Sequence, residues 1–172
     1  MLIKKIGYYD NFDALKAQVL ELCNSVMEQN HISLQYDKLT GDTTWLNAHG
    51  PDKTPRERFF DTVQPILENT EIDRMFASLD VKLTRTRIFA INPMTVGYTP
   101  HRDTTGRIHI PIVTDEDARF YYYDSIEHKC DFMPADGSIY YVDTTKTHTF
   151  KNLSSTTRIH IVGCYYGEDI WN

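Results

Sequence analysis

Cysteine is scarce. Cys23, Cys130 and Cys164 are odd in number, widely spaced and form no C-x-x-C, which argues against a disulfide framework or a zinc ribbon and predicts buried, reduced thiols. No apolar run approaches the length needed to cross a bilayer. The opening MLIKKIGYYD meets a charged pair after the first apolar residues and holds no apolar core of a secretory signal, so a cytoplasmic setting is expected. Linkers and low-complexity stretches are missing as well, and 172 residues at 41% hydrophobic content suffice for one buried core, so 1–172 is expected to be a single domain. Positive charge is in short supply: Lys+Arg 18 against Asp+Glu 24 gives a net charge of -6, which disfavours any grip on nucleic acid through phosphate neutralisation. Asp115, Glu116 and Asp117 lack the Gly and distal Glu of a calcium loop and read as a solvated turn.

What is present is patterned for strands. VKLTRTRIFAI from Val81, SIYYV from Ser138 and TTRIHIVGCYY around Arg158 are rich in β-branched and aromatic residues. The Tyr121 to Tyr123 run is expected to alternate between the two faces of a strand. Residues 1–80 read as a helical support region and 81–172 as the β core. LIKKIGYY and HISLQY are short strand candidates, and Asn11 can cap a helix carrying Leu15, Val19, Leu22 and Val26 at helical spacing. Thr54-Pro55-Arg56-Glu57 has the form of a capping box with Pro at the first helical position. It predicts a helix through Phe59, Phe60 and Val63 that Pro65 ends or kinks.

The chemistry concentrates in His101-Arg102-Asp103, then His148, then Arg158. Residues two apart on a strand share a face, so His101 and Asp103 can meet one ion, and a distant histidine can complete the set. Two imidazoles and one carboxylate on one face of an octahedral metal form the facial triad of non-haem Fe(II) oxygenases. Arg158 stands ten positions after His148 in a β-rich run, where a guanidinium can grip a carboxylate through two hydrogen bonds. An internal echo accompanies the set: Arg107-Ile108-His109-Ile110 recurs as Arg158-Ile159-His160-Ile161. The strands either expose the Arg and His face to water or turn it into a barrel, and the second arrangement implies anionic ligands.

The run from Pro100 to Gly163, with H-x-D, RIHIPIVT and DTTKTHTFKNLSSTTRIHIV, resembles the aspartyl/asparaginyl β-hydroxylase family of 2-oxoglutarate oxygenases, which includes bacterial proline hydroxylases. The most specific part of the likeness is His148 with Asn152 four later and Arg158 ten later. The resemblance implies a mainly β, double-stranded β-helix of jelly-roll, cupin-like form with flanking N-terminal helices. It further implies that His101, Asp103 and His148 hold Fe(II) and that Arg158 binds the distal carboxylate of 2-oxoglutarate. Arg107 and His109 match a family R-x-H that contacts the cosubstrate or the substrate. Dioxygen would be the third reactant, and an amino acid, free or in a peptide or protein, the substrate. Ala90 stands where some members carry a cosubstrate-binding Ser, which leaves Thr84 and Thr86 as candidate helpers.

Two other readings stay open: a zinc-dependent hydrolase using the same triad, and a non-catalytic β-barrel that binds a small ligand. His31, His49 and His128 lack partners at ligand spacing and read as surface or structural residues. Trp45 reads as core or pocket wall. Arg102, Lys146 and Lys151 either join Arg107 and Arg158 in a basic pocket or lie exposed.

Overall fold

The computed structural model describes residues 2–26, 30–41, 43, 57–97, 99–123 and 129–167. Trp45, His49, His128 and the Thr54–Arg56 part of the expected capping box lie outside the described residues. In chain order the elements are β1 (Ile3–Tyr8), α1 (Phe12–Val26), β2 (His31–Ser33), β3 (Gln35–Tyr36), β4 (Thr62–Val63), α2 (Glu71–Ser78), β5 (Leu83–Ile91), β6 (Thr95–Val96), β7 (Gly106–Val113), β8 (Ala118–Tyr122), β9 (Lys129–Asp131), β10 (Ser138–Val142), β11 (His148–Asn152) and β12 (Arg158–Tyr165).

The strands form a major sheet in the order β1-β10-β7-β12-β5-β2 and a minor sheet in the order β6-β11-β8-β9, with β3 and β4 as a separate pair. The assigned pairings are antiparallel, and the two sheets make the expected jelly-roll, cupin-like architecture. Both edge strands of the major sheet come from the N-terminal part, since β1 pairs with β10 and β2 with β5. That part is therefore woven into the sheet as well as supporting it.

The side-chain period of a strand sorts each major-sheet residue to one of two cores. On one side Ile88, Ile108, Ile110, Ile112, Ile159 and Ile161 pack with Phe12, Leu15 and Val19 of α1 and Ile72 and Met75 of α2. On the other, Ile91 and Val142 meet Ala118, Phe120, Tyr122, Met133 and Phe150. α1 follows its periodicity, with Leu22 and Val26 partly buried against the same core. The Asn11 carbonyl accepts from Leu15 N at 3.1 Å, while its side-chain amide donates to Glu71 at 2.8 Å and ties the starts of the two helices together.

Two local expectations change, and one helix has no counterpart among them. Glu57–Phe59 is a single 3-10 turn followed by β4, and Pro65 opens a second turn through Leu67; with Thr62 and Val63 paired to Tyr36 and Gln35, no helix runs through Val63. α2 escapes the periodicity reading because eight residues span little more than two turns. Its signal is the cap: Thr70 accepts from Asp73 N in a T-x-x-D pattern. Of the cysteines only Cys164 is buried; Cys130 is exposed and Cys23 intermediate, and all three are free. No helix among the described residues is long and apolar enough to cross a membrane.

Candidate metal centre and cavity

His101 and His148 are brought together by the backbone. They form an isolated antiparallel bridge, with His101 N donating to His148 O at 3.0 Å and His148 N to His101 O at 2.9 Å. Directly opposed residues project to the same side, and the ring centroids are 4.5 Å apart. Asp103 is held two residues on by its N–H donating to Thr144 O at 2.8 Å. The expected strand bearing His101 and Asp103 is thus one bridge within an extended segment. Gly97, at its entrance, lies so close to β11 that a Cβ would sit 1.6 Å from Phe150 O, a contact only glycine permits.

One ligand atom from each of His101, Asp103 and His148 lies within 4.8 Å of the others, and His101 Nε2 is 4.0 Å from Asp103 Oδ1. Metal bonds of roughly 2.0–2.2 Å require an inward movement from there, and the His101 side chain, 45% exposed against 24% for Asp103, has the more open surroundings of the two. The outer nitrogens are already fixed: His101 Nδ1 faces Thr99 O at 3.0 Å and His148 Nδ1 faces Lys146 O at 2.9 Å. A carbonyl only accepts, so in each ring Nδ1 is the donor, and the nitrogen a metal would take from the neutral ring is Nε2. Phe120 stacks on His148 at 5.0 Å and 14°, and burial lowers the His148 pKa, which favours the neutral, ligating form. This cluster can hold a metal ion.

The cluster opens on a cavity of about 880 Å³ between the sheets, whose wall includes Arg87, Arg107, His109, Phe120, Phe150 and Arg158. Both Arg-x-His faces of the echo point inward: Arg107, His109, Arg158 and His160 are all buried. The intervening Ile residues are buried on the opposite side, so neither face of these strands is solvated. Arg102 and Lys146 are exposed, and Lys151 is half-buried with its Nζ over the Tyr121 ring. The guanidinium lining comes instead from Arg87, Arg107 and Arg158. His31 lines the cavity too, on a strand, β2, whose backbone pairs it with Phe89.

Arg158 is 2% exposed. Its Cζ lies 3.7 Å from the Phe150 ring centroid, its Nη2 donates to His160 Nδ1 at 2.8 Å, and its Nε has no hydrogen-bond partner. No carboxylate pairs with it among the described residues. Burial accordingly pushes its pKa well down, a penalty on the charged form that an arriving anion would remove. The same hydrogen bond sets the imidazoles. A guanidinium only donates, so His160 Nδ1 is an acceptor and His160 is neutral with its proton on Nε2. His109 Nδ1, 3.3 Å away, can bond to that atom only by carrying a proton itself. Burial, reinforced by the nearby guanidinium of Arg158, pushes both pKa values well below the ordinary histidine range.

Asn152 positions Arg158. Its Nδ2 reaches Ile91 O, Asn92 O and Thr156 O at 3.0, 3.2 and 2.8 Å, and its Oδ1 accepts from Ser154 Oγ at 2.8 Å. The β11–β12 turn is thereby pinned to the end of β5, where Arg158 pairs with Ile91. Thr84, Thr86 and Ala90 are not part of the cavity wall. Thr86 Oγ1 instead sits where a Cβ on Gly163 would meet it at 2.7 Å, and Ala90 belongs to the core on the helix side. Of the Tyr121 to Tyr123 run, Tyr122 is buried, and its hydroxyl donates to Leu2 O at 3.0 Å. Asp117 N and Ala118 N bond back to Asp115, the expected turn.

No protein-family model matches the chain, and no curated protein matches it by sequence. Among solved structures it is similar to the crystal structure of EvdMO1, with a TM-score of 0.53 and 15% identity over 98% of this chain and 48% of that one. The chain spans about half the length of that structure, and the likeness is one of fold.

Proposed function

We propose that the chain is an Fe(II)- and 2-oxoglutarate-dependent dioxygenase that hydroxylates an amino acid, free or peptide-borne, within the aspartyl/asparaginyl β-hydroxylase family. One observation carries the reading: a His101, Asp103 and His148 cluster shares its cavity with Arg158, a buried guanidinium without a carboxylate partner among the described residues. The donor set fits Fe(II), for two neutral imidazoles and one carboxylate leave three coordination positions for other ligands. Iron held by His101, Asp103 and His148 would supply, with 2-oxoglutarate and dioxygen, an oxidation that converts the cosubstrate to succinate and carbon dioxide and places one oxygen atom in the substrate.

The chain's own residues do the positioning. Arg158 receives the distal carboxylate of 2-oxoglutarate, and the Phe150 ring beneath it keeps that ion pair out of water. Phe120 holds the His148 ring in plane. His109 and Arg107 line the same wall. A cavity of about 880 Å³ leaves room for a substrate beside a five-carbon diacid. A zinc hydrolase could use the cluster but gives Arg158 no task, and a simple binding module has no need of three convergent ligands. Free or peptide-borne amino acids are the proposed partners, with no part for nucleic acid or membrane, and a reducing cytoplasm is the proposed setting.

The test is a screen of amino acids, their end-capped derivatives and short peptides with Fe(II), 2-oxoglutarate and air. Substrate-dependent succinate release together with a hydroxylated product supports the reading. Hydrolytic products with stoichiometric zinc would replace it.

A further inference from the structure

Arg107 belongs to a chain of ion pairs that begins at the metal cluster. Its Nε donates to Asp103 Oδ2 at 3.0 Å, while the other oxygen of that carboxylate, Oδ1, faces His101 Nε2. At the far end of the guanidinium, Nη1 donates to Glu57 Oε2 at 3.3 Å and Nη2 to Glu57 Oε1 at 3.4 Å. Nη1 also reaches Thr105 Oγ1 at 2.9 Å and Cys164 Sγ. Glu57 pairs in turn with Arg85 and accepts from the Tyr166 hydroxyl at 3.3 Å. The sign of charge alternates along Asp103, Arg107, Glu57 and Arg85, and the side chains of the two arginines are only 8% and 12% exposed.

We infer that Arg107 is a positioning residue for the metal-binding carboxylate, itself held by Glu57; the inference rests on the metal site proposed above. A lone aspartate can rotate, swap its two oxygens or offer both. With Oδ2 engaged by Arg107, Asp103 is left with Oδ1 toward the histidines as its single ligand atom. The task calls for arginine, whose flat fork bonds Asp103 along one edge and Glu57 at its tip, where a lysine ammonium offers a point charge. Glu57 offsets a guanidinium that would otherwise repel a divalent ion beside it. Arg107 is thus committed before any ligand arrives, and an anionic group of the substrate must find a different cation on the cavity wall.

The experiment is a double-mutant cycle on Co(II) binding without 2-oxoglutarate, followed by calorimetry and by the visible absorption of the bound ion. Arg107→Met should weaken Co(II) binding about 10- to 100-fold, the usual cost of losing the partner of a ligand, and should shift the visible band. In an Asp103→Ala background the same substitution should cost little further affinity, about threefold at most, because its effect runs through the missing carboxylate. Arg107→Lys should fall between Arg107→Met and the wild type. Glu57 keeps Arg85 in the methionine variant, so no charge is stranded; if that variant nevertheless fails to fold, Arg107→Lys is carried through the same cycle. Equal losses in both backgrounds would make Arg107 a packing residue, and unchanged Co(II) affinity with weakened 2-oxoglutarate binding would make it a cosubstrate ligand. Either result overturns the inference alone. A wild-type protein that binds no divalent metal overturns the proposed function with it.

Discussion

The two faces of the major sheet are made by the same strands from opposite kinds of residue. Toward α1 and α2, β7 and β12 present Ile108, Ile110, Ile159 and Ile161 in a dry aliphatic layer; toward the minor sheet they present Arg107, His109, Arg158 and His160, also buried. Removing aliphatic surface from water stabilises the fold by about 25 cal/mol per Å². Burying guanidinium and imidazole groups opposes folding unless each finds a partner. Stability and chemistry are therefore separated by the thickness of one sheet, and alternation along each strand lets one short segment serve both.

Substitutions on the two faces should therefore fail differently. The largest effect belongs to His148→Ala, which removes a proposed ligand: divalent-metal affinity measured by calorimetry should fall by more than the roughly 100-fold cost of losing a ligand's hydrogen-bond partner. Retained affinity would take His148 out of the cluster. On the other face, Ile161→Ala empties a site that is 1% exposed and should cost about 2–5 kcal/mol in urea unfolding, with metal affinity unchanged in the fraction that stays folded.

Acid should strike the cavity face next. His109 and His160 have folded pKa values pushed well below the ordinary range by burial, whereas in the unfolded chain they titrate near roughly 6.5. Below that value the unfolded state binds the extra protons, so stability is fully present above it and is lost as pH falls. The loss is up to about 1.4 kcal/mol per pH unit for each imidazole. His148, lowered mainly by burial, adds in the same direction. Urea midpoints at pH 7.5 and 5.5 measure the effect, and equal midpoints would mean that these rings are charged or solvated.

The smallest effect has the opposite sign. Arg158→Met replaces a buried guanidinium by an apolar chain of similar length, and the protein without ligands should gain on the order of 1 kcal/mol. A loss as large as that of Ile161→Ala would show that Arg158 serves the fold.

Most of this division can be read from residue order. His101, Asp103, His148 and Arg158 lie within one β-rich stretch, and the repeated Arg-Ile-His-Ile carries both faces in four letters. What alternation could not decide is whether the polar face meets water, because that depends on a second sheet. Glu57 is invisible from sequence for a related reason: fifty residues separate it from Arg107, and only the 3-10 turn at Glu57–Phe59 and the seat of Phe60 O on Arg85 N bring it close. Phe120 and Arg87 sit in strands whose registers, rather than their own types, put them on the cavity wall. The edge roles of β1 and β2 likewise come from pairings with strands far along the chain.

The most direct measurement is anaerobic absorption of the wild-type protein titrated with Fe(II) and then 2-oxoglutarate, beside Arg158→Met. The account predicts a visible metal-to-cosubstrate band that saturates in the wild type. In the variant it should require about 10- to 100-fold more 2-oxoglutarate, as expected from a lost charged hydrogen bond worth roughly 1.5–3 kcal/mol, while Fe(II) affinity holds. No band in the wild type, or one that saturates identically in both proteins, would contradict it.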